Sequence, residues 1–455
     1  MKRLLIANRG EIALRVLRAA QDLGIETVAV FSEADAGAAH VRLADKCVPI
    51  GKSPVGKSYL RSDAIVEAAV EAGADAVHPG YGLLSERADF ARAVEAAGLT
   101  FVGPDADAID KMGDKVAARV AADKAGVPTV PGSDGAVGSV DEAASIADSI
   151  GYPVMIKAAG GGGGRGIRVV RDEAALRKEF PMASGEAGKA FGDPRMYLER
   201  FVERARHVEV QVLGDGNDVV HFFERECSLQ RRRQKVVEEA LSPGISSETR
   251  AAMTTAAVDL AKAVGYRSAG TVEFLVDDQT DEVFFMEMNT RIQVEHPITE
   301  WICGVDLVAE QLRIASGVGL RLAQDEIDPR GTAIEFRLTA EDPGNDFFPC
   351  PGPVEQVNMP SGPWVRVDTW LEGGGEVTPF YDSLLAKVIV WGADRAEAIA
   401  RSRRALGEIV VEGVKTTVPL LSAILAEEWF TTADFHTGTL EQWLETKPLA
   451  GGDQP

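Results

Sequence analysis

The sequence predicts an α/β protein with a doubly wound N-terminal domain, a mixed central domain carrying a mobile lid, and a smaller α+β C-terminal domain. Three observations predict this. A strand–helix–strand pattern recurs up to Gly103, a glycine run lies between two strands, and hydrophilic and apolar residues alternate from Met286 to His296.

Residues 2–8 read as a buried strand, 10–23 as a helix rich in Ala, Leu and Arg and closed by Gly24, and 26–32 as a second apolar strand, which is a βαβ unit with a parallel sheet. The pattern continues with a helix near 62–72, a strand at 75–78, the turn His78-Pro79-Gly80-Tyr81-Gly82, a helix near 86–97 and a strand at 99–103. No GxGxxG follows the first strand, so the layout is not read as a dinucleotide site. A helix is expected around Asp114-Lys115, and the breakers between Gly126 and Gly132 mark a subdomain boundary. The tail shows short strands at 332–338, 364–369 and 385–391 and helices at 394–408 and 416–427, which suggest a capping domain. The expected division is 1–113, 114–318 with a lid of about 131–203, 319–446, and a flexible tail 447–455.

A chain of 455 residues has length for about two to four domains. Its net charge of −22 argues against nucleic acid or an anionic membrane as the main partner. Cys47, Cys227, Cys303 and Cys350 are scattered, with no CxxC and no clustered His, so neither a zinc site nor a disulfide framework is indicated. Arg9 and Glu11 interrupt the start before a signal-peptide core develops, and no uncharged run reaches bilayer length, so a cytoplasmic protein is expected.

In an extended Met286–His296, Glu287, Asn289, Arg291, Gln293 and Glu295 share one face while Met286, Met288, Ile292 and Val294 face the core. That face is either an ordinary polar sheet surface or a site handling a metal, an anion and a proton. The strand Thr271–Val276 precedes it; if Glu273 lies opposite Glu287, two carboxylates and Asn289 can hold magnesium, and otherwise the hairpin is a surface one. The run Gly160–Gly166 lies between strands 153–158 and 167–170; lacking the Lys-Ser/Thr of a P-loop, it reads as a hairpin tip. Its bare amides suit phosphate oxygens and a moving lid, against the alternative of a flexible turn without a ligand. Lys157 and Lys115 supply charges that a triphosphate needs. Arg206–Gln211 alternates as a strand with His207, Glu209 and Gln211 on one face. The basic run from Arg231 to Lys235 is either a solvated patch or an inward-facing anion site. His78 and His296 precede Pro, which favours extended backbone.

Ile-Ala-Asn-Arg-Gly-Glu-Ile-Ala, His-Pro-Gly-Tyr-Gly, Met-Gly-Asp-Lys, the glycine run, Arg-His-Val-Glu-Val-Gln, Gln-Arg-Arg-x-Gln-Lys and Glu-Met-Asn-Thr-Arg-Ile-Gln-Val-Glu-His, in this order, closely resemble biotin carboxylase, an ATP-grasp enzyme. The resemblance continues through Glu335-Phe-Arg337 and Pro379–Ser383 and covers nearly the whole chain. It implies an ATP-grasp central domain and ATP-dependent carboxylation of biotin by bicarbonate through carboxyphosphate. It also implies the site. ATP would meet Lys115, Lys157, Gly162, Gly163, Gly164, Gly166, Glu199, Arg200, Val202, His207 and Gln230. Glu273, Glu287 and Asn289 would hold Mg2+ or Mn2+. Lys235, Arg291, Gln293 and Val294 would form the bicarbonate pocket, with Glu295 as base, Arg337 stabilising the biotin enolate, and Tyr81 near biotin. Two positions depart from the family pattern: Arg233 stands where His is common, and Thr339 where Asn is. The sequence has no Ala-Met-Lys-Met motif and no carboxyltransferase region. The expected partners are therefore a separate biotin carboxyl carrier protein and a carboxyltransferase subunit, with acetyl-CoA carboxylase as parent complex and the propionyl-CoA and pyruvate systems as alternatives. A homodimer is implied, with Arg18 and Arg366 near its interface.

The lid reading predicts that amides of residues 160–166 exchange hydrogen rapidly without nucleotide and that MgATP slows the exchange. Strong protection in the free protein, measured by mass spectrometry, would show a fixed turn instead.

Overall fold

The computed structural model describes residues 1–158, 167–191 and 194–447, and among them two sheets dominate. The first is the expected parallel sheet: β1 (Arg3–Ile6), β2 (Glu26–Ser32), β3 (Lys46–Gly51), β4 (Ala76–His78) and β5 (Thr100–Phe101), in the order β3-β2-β1-β4-β5. Helix α1 (Gly10–Asp22) follows β1 and buries Ile12, Ala13, Val16, Leu17 and Ala20, the i, i+1, i+4, i+5 and i+8 positions of one apolar face. At the end of β4, Gly80 has φ +63, and a Cβ there would lie 2.8 Å from Asn8 Nδ2. Only glycine fits that turn, because Asn8 Nδ2 donates to Pro79 O at 2.7 Å and Tyr81 O at 2.8 Å. The pair of hydrogen bonds fixes Tyr81.

The small sheet of β6 (Val154–Ala158), β7 (Arg168–Val170) and β8 (Met196–Arg200) confirms the two strands flanking the glycine run, with Val154 opposite Val170. The run itself, including Gly162, Gly163, Gly164 and Gly166, lies outside the described residues, as does the tail from 448.

The second large sheet is antiparallel and has eight strands: β9 (Ala205–Asp215), β10 (Val219–Arg231), β11 (Gln234–Ala240), β12 (Arg267–Asp277), β13 (Val283–Asn289), β14 (Thr332–Thr339), β15 (Val365–Thr369) and β16 (Leu384–Gly392). Their order is β13-β12-β9-β10-β11-β14-β16-β15. The tail shares its main sheet with the central domain, through β11 pairing with β14. The reason is burial: Ile334, Phe336 and Leu338 alternate along β14 at 0 % exposure, and edge pairing to β11 lets them enter one continuous core with Leu229 and Val237.

The helix expected around Asp114-Lys115 is α2 (Lys115–Lys124), which Asp114 caps by accepting from Ala117 N at 2.8 Å, while the helix before it ends at Gly113. Three expectations need correction. Met286 does not enter the core but is 45 % exposed, because β13 is an edge strand whose outer face is uncovered there. The extended run stops at Asn289, and His296 begins helix α3 (His296–Cys303) instead of lying extended. Pro297 sits in the first turn, where its missing N–H costs no helical bond. Finally, the basic run is divided between the two readings, with Arg232 and Arg233 exposed and Lys235 facing inward. Arg231 pairs with Gln234, and Arg232 (φ 49°) and Arg233 (φ 66°) form the two-residue turn between β10 and β11.

His78 lies at the end of β4 with Nδ1 accepting from Gly80 N at 2.9 Å, and among the described residues neither ring nitrogen of His40 has a hydrogen-bond partner; both histidines are buried. Burial pushes His40 down to about 4 and His78 down to about 3. Each is neutral when folded, so its stabilising contribution is complete above the ordinary value of about 6.5 and is lost as pH falls toward the folded value. Stability should therefore fall between about pH 6.5 and 5, above the carboxylate range, by up to about 1.4 kcal/mol per group per pH unit. Chemical denaturation across that window checks this, and His40→Leu should flatten the slope.

Candidate active site

The register of the large sheet sets the site. Glu287 lies opposite Glu273, Glu273 opposite Glu209, and Glu209 opposite Arg225, so one row crossing β13, β12, β9 and β10 carries three carboxylates abreast. Neighbouring strands lie about 4.8 Å apart, and such a row repels itself unless cations enter it. Arg225, fully buried, donates from Nε to Glu209 Oε1 at 2.5 Å and from Nη1 to Gln211 Oε1 at 2.8 Å. Lys235 supplies the second cation: its Nζ donates to Glu209 Oε2 at 2.6 Å, Glu295 Oε1 at 2.6 Å and Glu273 Oε1 at 3.2 Å.

Glu295 sits just before α3 rather than on the strand, yet it reaches the same place. Between Lys235 and Arg337, whose Nη2 lies 2.9 Å from Glu295 Oε2, it is wholly buried. Burial pushes its carboxyl up, but the Lys235, Arg337 and Arg225 charges outweigh that and hold it well below the usual carboxylate range. Glu273 is likewise held low: burial opposes ionisation, and Lys235 and His207 favour it more. Burial acts to lower Lys235, but the facing acidic groups raise it well above its ordinary value.

The other polar side chains of the 286–296 segment converge through hydrogen bonds instead of strand alternation. Asn289 Nδ2 and Gln293 Nε2 both donate to Glu273 Oε1, at 2.8 and 3.1 Å. Arg291 donates to Gln293 Oε1 at 2.7 Å and Asn289 Oδ1 at 3.1 Å, and its Nε reaches Glu86 Oε2 at 3.0 Å. Val294 contributes its carbonyl, which accepts from Lys387 Nζ at 2.9 Å. His207 Nε2 lies 3.0 Å from Glu273 Oε2, and Gln230 Nε2 lies 2.7 Å from His207 Nδ1.

At the other end of the row Glu287 is exposed, and burial around its carboxyl, then the Glu273 charge, raise its pKa while Lys115 lowers it. Two opposed carboxylates, of which Glu273 raises the proton affinity of Glu287, beside the carboxamide of Asn289, are a donor set that fits a hard divalent cation. A second acidic group, His207, Glu209 and Glu273, brings its ligand atoms within 4.8 Å of one another, but Lys235 Nζ already bonds both of its carboxylates.

The remaining expected residues lie around this row. Lys157 pairs with Glu199, and Arg119 Nη1 lies 3.9 Å from Glu199. Arg200 reaches Glu282 at 2.7 Å and Val202 is buried. Tyr81 donates to Glu11, which pairs at 3.1 Å with Lys387. Tyr81 also lines a cavity of about 290 Å³ together with Arg9, Trp370, Phe380 and Tyr381. Arg366 binds Glu300 and Asp368 of its own chain, each at 2.7 Å, and Arg18 is exposed. Thr339 faces Thr417, with their hydroxyls 3.3 Å apart.

Comparison with known proteins covers nearly the whole chain. Residues 1–109 match the biotin carboxylase N-terminal domain, 114–323 the ATP binding domain of carbamoyl-phosphate synthase L chain, and 335–442 the biotin carboxylase C-terminal domain. The chain is 52 % identical to Biotin carboxylase 1 of Bacillus subtilis, covering 97 % of this chain and 99 % of that protein. The chain belongs to the biotin carboxylase family. It is 50 % identical to a pyruvate carboxylase subunit of Methanothermobacter thermautotrophicus, covering 97 % and 90 % of the two chains. Its structure is similar to the biotin carboxylase domain dimer of 2-oxoglutarate carboxylase from Hydrogenobacter thermophilus in complex with MgADP, ADP and bicarbonate. The TM-score is 0.89 at 49 % identity, over 97 % of each chain. As a biotin carboxylase the chain is an ATP-dependent ligase of ATP-grasp type, with a parallel sheet in its N-terminal domain.

Reasoning from sequence gave no role in this cluster to Arg225, Glu238 or Glu86. Arg225 carried a readable signal, since Glu224, Arg225 and Glu226 are three consecutive charged residues at the centre of one strand. Glu238 carried none. Strict alternation puts it on the face opposite Lys235, but pairing steps by one residue between Gln230↔Lys235 and Leu229↔Val237, and this bulge returns Glu238 to the site.

Lys235 touches three carboxylates while Arg233 tops an exposed turn, so the two cations should differ sharply in effect. Lys235→Gln should lower bicarbonate-dependent biotin carboxylation by at least about a hundredfold, the scale of one lost preorganised donor, whereas Arg233→His stays within about tenfold. Initial rates at saturating MgATP decide it; greater damage from the Arg233 variant would move the anion site.

Proposed function

We propose that this chain carboxylates biotin on a separate carrier protein, using ATP and bicarbonate, as the first half-reaction of acetyl-CoA carboxylase. The observation that carries this reading is Glu295 held between Lys235 and Arg337. A carboxylate so stabilised is a poor base until its cations find another anion. Bicarbonate is that anion: on entering the pocket of Lys235, Arg291, Gln293 and the Val294 backbone it takes over their charge, and Glu295 recovers the basicity to accept its proton.

Deprotonated bicarbonate attacks the γ-phosphorus of ATP, the bond to the bridging oxygen breaks, and ADP leaves with carboxyphosphate formed. Lys115, Lys157 and His207 neutralise the phosphates, with Gln230 fixing the His207 ring, and the Gly162–Gly166 lid excludes water. Glu199, Arg200 and Val202 receive the adenine. Glu273, Glu287 and Asn289 would hold the Mg2+ or Mn2+ carried by ATP, which supplies charge neutralisation at the phosphoryl group. Carboxyphosphate then breaks to carbon dioxide and phosphate, and the phosphate takes the ureido proton of biotin. Arg337 stabilises the enolate, whose nitrogen attacks carbon dioxide. Tyr81 places biotin in the cavity that it lines.

Related proteins bear the names of biotin carboxylase, pyruvate carboxylase and 2-oxoglutarate carboxylase, so the acetyl-CoA parent is the preferred reading and a pyruvate or propionyl-CoA complex the alternative. In each case the acyl acceptor stays outside this active site. A carboxyltransferase subunit completes the complex, and the chain works as a homodimer like the 2-oxoglutarate relative. Among the described residues no helix is long and apolar enough to cross a membrane.

Release of ADP that depends on bicarbonate and rises with free biotin tests the reading. Glu295→Gln should keep ATP binding and lose about two orders of magnitude or more of that turnover, the scale of a lost general base. Near-normal turnover in the variant refutes the role.

A further inference from the structure

Arg337 is gripped by two carboxylates that differ in kind. Glu295 precedes a helix, touches Lys235 as well, and must change partners when bicarbonate arrives. Glu238 is in the interior of β11, 0 % exposed, and its Oε1 accepts from Arg337 Nε at 2.6 Å and lies 2.5 Å from Nη2. Its Oε2 has no partner among the described residues. Directly opposite on β14 lies Glu335, also 0 % exposed, with neither carboxyl oxygen bonded among the described residues. Nothing in the reaction proposed above uses either acid.

A buried unpaired carboxylate is costly, and two facing ones cannot both ionise without a cation each. One cation, Arg337, is within reach of Glu238. Burial keeps Glu335 well above the usual carboxylate range despite the Lys387 charge, so it stays neutral, whereas Glu238, pushed up by burial to about 7, ionises on the guanidinium that it bonds. The two cations of this cluster then stay matched when Glu295 turns to bicarbonate: Lys235 goes with the anion and Arg337 remains held.

Resting on the proposed biotin carboxylation, we propose that Glu238 is a positioning residue that fixes Arg337 for the biotin half of the reaction, while Glu295 serves the bicarbonate half. Without the Glu238 carboxylate, Arg337 follows Glu295 or the phosphate, and carboxyphosphate decays to bicarbonate and phosphate before the biotin enolate is stabilised. The defect is one of coupling, which general loosening of the fold would not produce.

The test measures carboxybiotin formed per ADP released, in full-length wild type, Glu238→Gln and Glu238→Asp, with free biotin and bicarbonate as probes and thermal unfolding as the check on folding. The ratio should fall at least about tenfold in Glu238→Gln, through kcat for biotin carboxylation more than KM for ATP, with partial recovery in Glu238→Asp, which keeps the charge. An unchanged ratio, or a parallel loss of ADP release and carboxylation in both variants, overturns the inference. If the wild type itself forms no carboxybiotin, it is the function proposed above that fails, before either variant is compared.

Discussion

The site depends on one ammonium group. Lys235 Nζ lies within 3.2 Å of carboxylates from three separate segments, Glu209 on β9, Glu273 on β12 and Glu295 before α3. Burying four charges together costs several kcal/mol per ion unless each is matched, and removing the shared partner leaves carboxylates that water cannot reach. That constraint fixes where β11 must run. It also explains the hairpin turn at Arg232-Arg233, a pair of left-handed residues that is unfavourable for side chains of that size but aims Lys235 inward.

The same requirement links the domains. Lys387 on β16, fully buried, bonds Val294 O and pairs with Glu11 of α1, while Glu11 receives the Tyr81 hydroxyl. Arg337 lies opposite Lys387 and Lys387 opposite Asp368, so a second polar row crosses β14, β16 and β15. Arg366 and Arg15 complete it on Glu300. The N-terminal sheet, the central strands and the C-terminal strands thus meet at one set of paired charges, and the proposed substrates of both half-steps would arrive beside it. Sharing a single sheet between the central and C-terminal parts keeps Lys235 on β11 and Arg337 on β14 in fixed register.

The strands, the βαβ order and most helices were legible because apolar periodicity is a local property. The Glu273–Glu287 register was legible too, since a short hairpin leaves few ways to pair and only one puts both acids with Asn289. The polar face of Met286–His296 was read correctly as a group but for an incomplete reason: past Asn289 the backbone turns, and hydrogen bonds to Glu273 and Glu86 gather Arg291 and Gln293. Met286 was misread because alternation cannot tell a covered sheet face from an uncovered edge.

By itself the sequence determined the family, the three-part order and the residue types the chemistry needs, since motifs in fixed order survive any uncertainty about contacts. Only the tertiary structure decided which charges neutralise which. Long-range strand pairing put Glu209 beside Glu273, a one-residue bulge turned Glu238 toward Arg337, and the turn at Arg233 separated it from Lys235. Charge pairing in a buried site acts over a few ångströms, and those distances are set by register and bulges that no local pattern in the chain encodes.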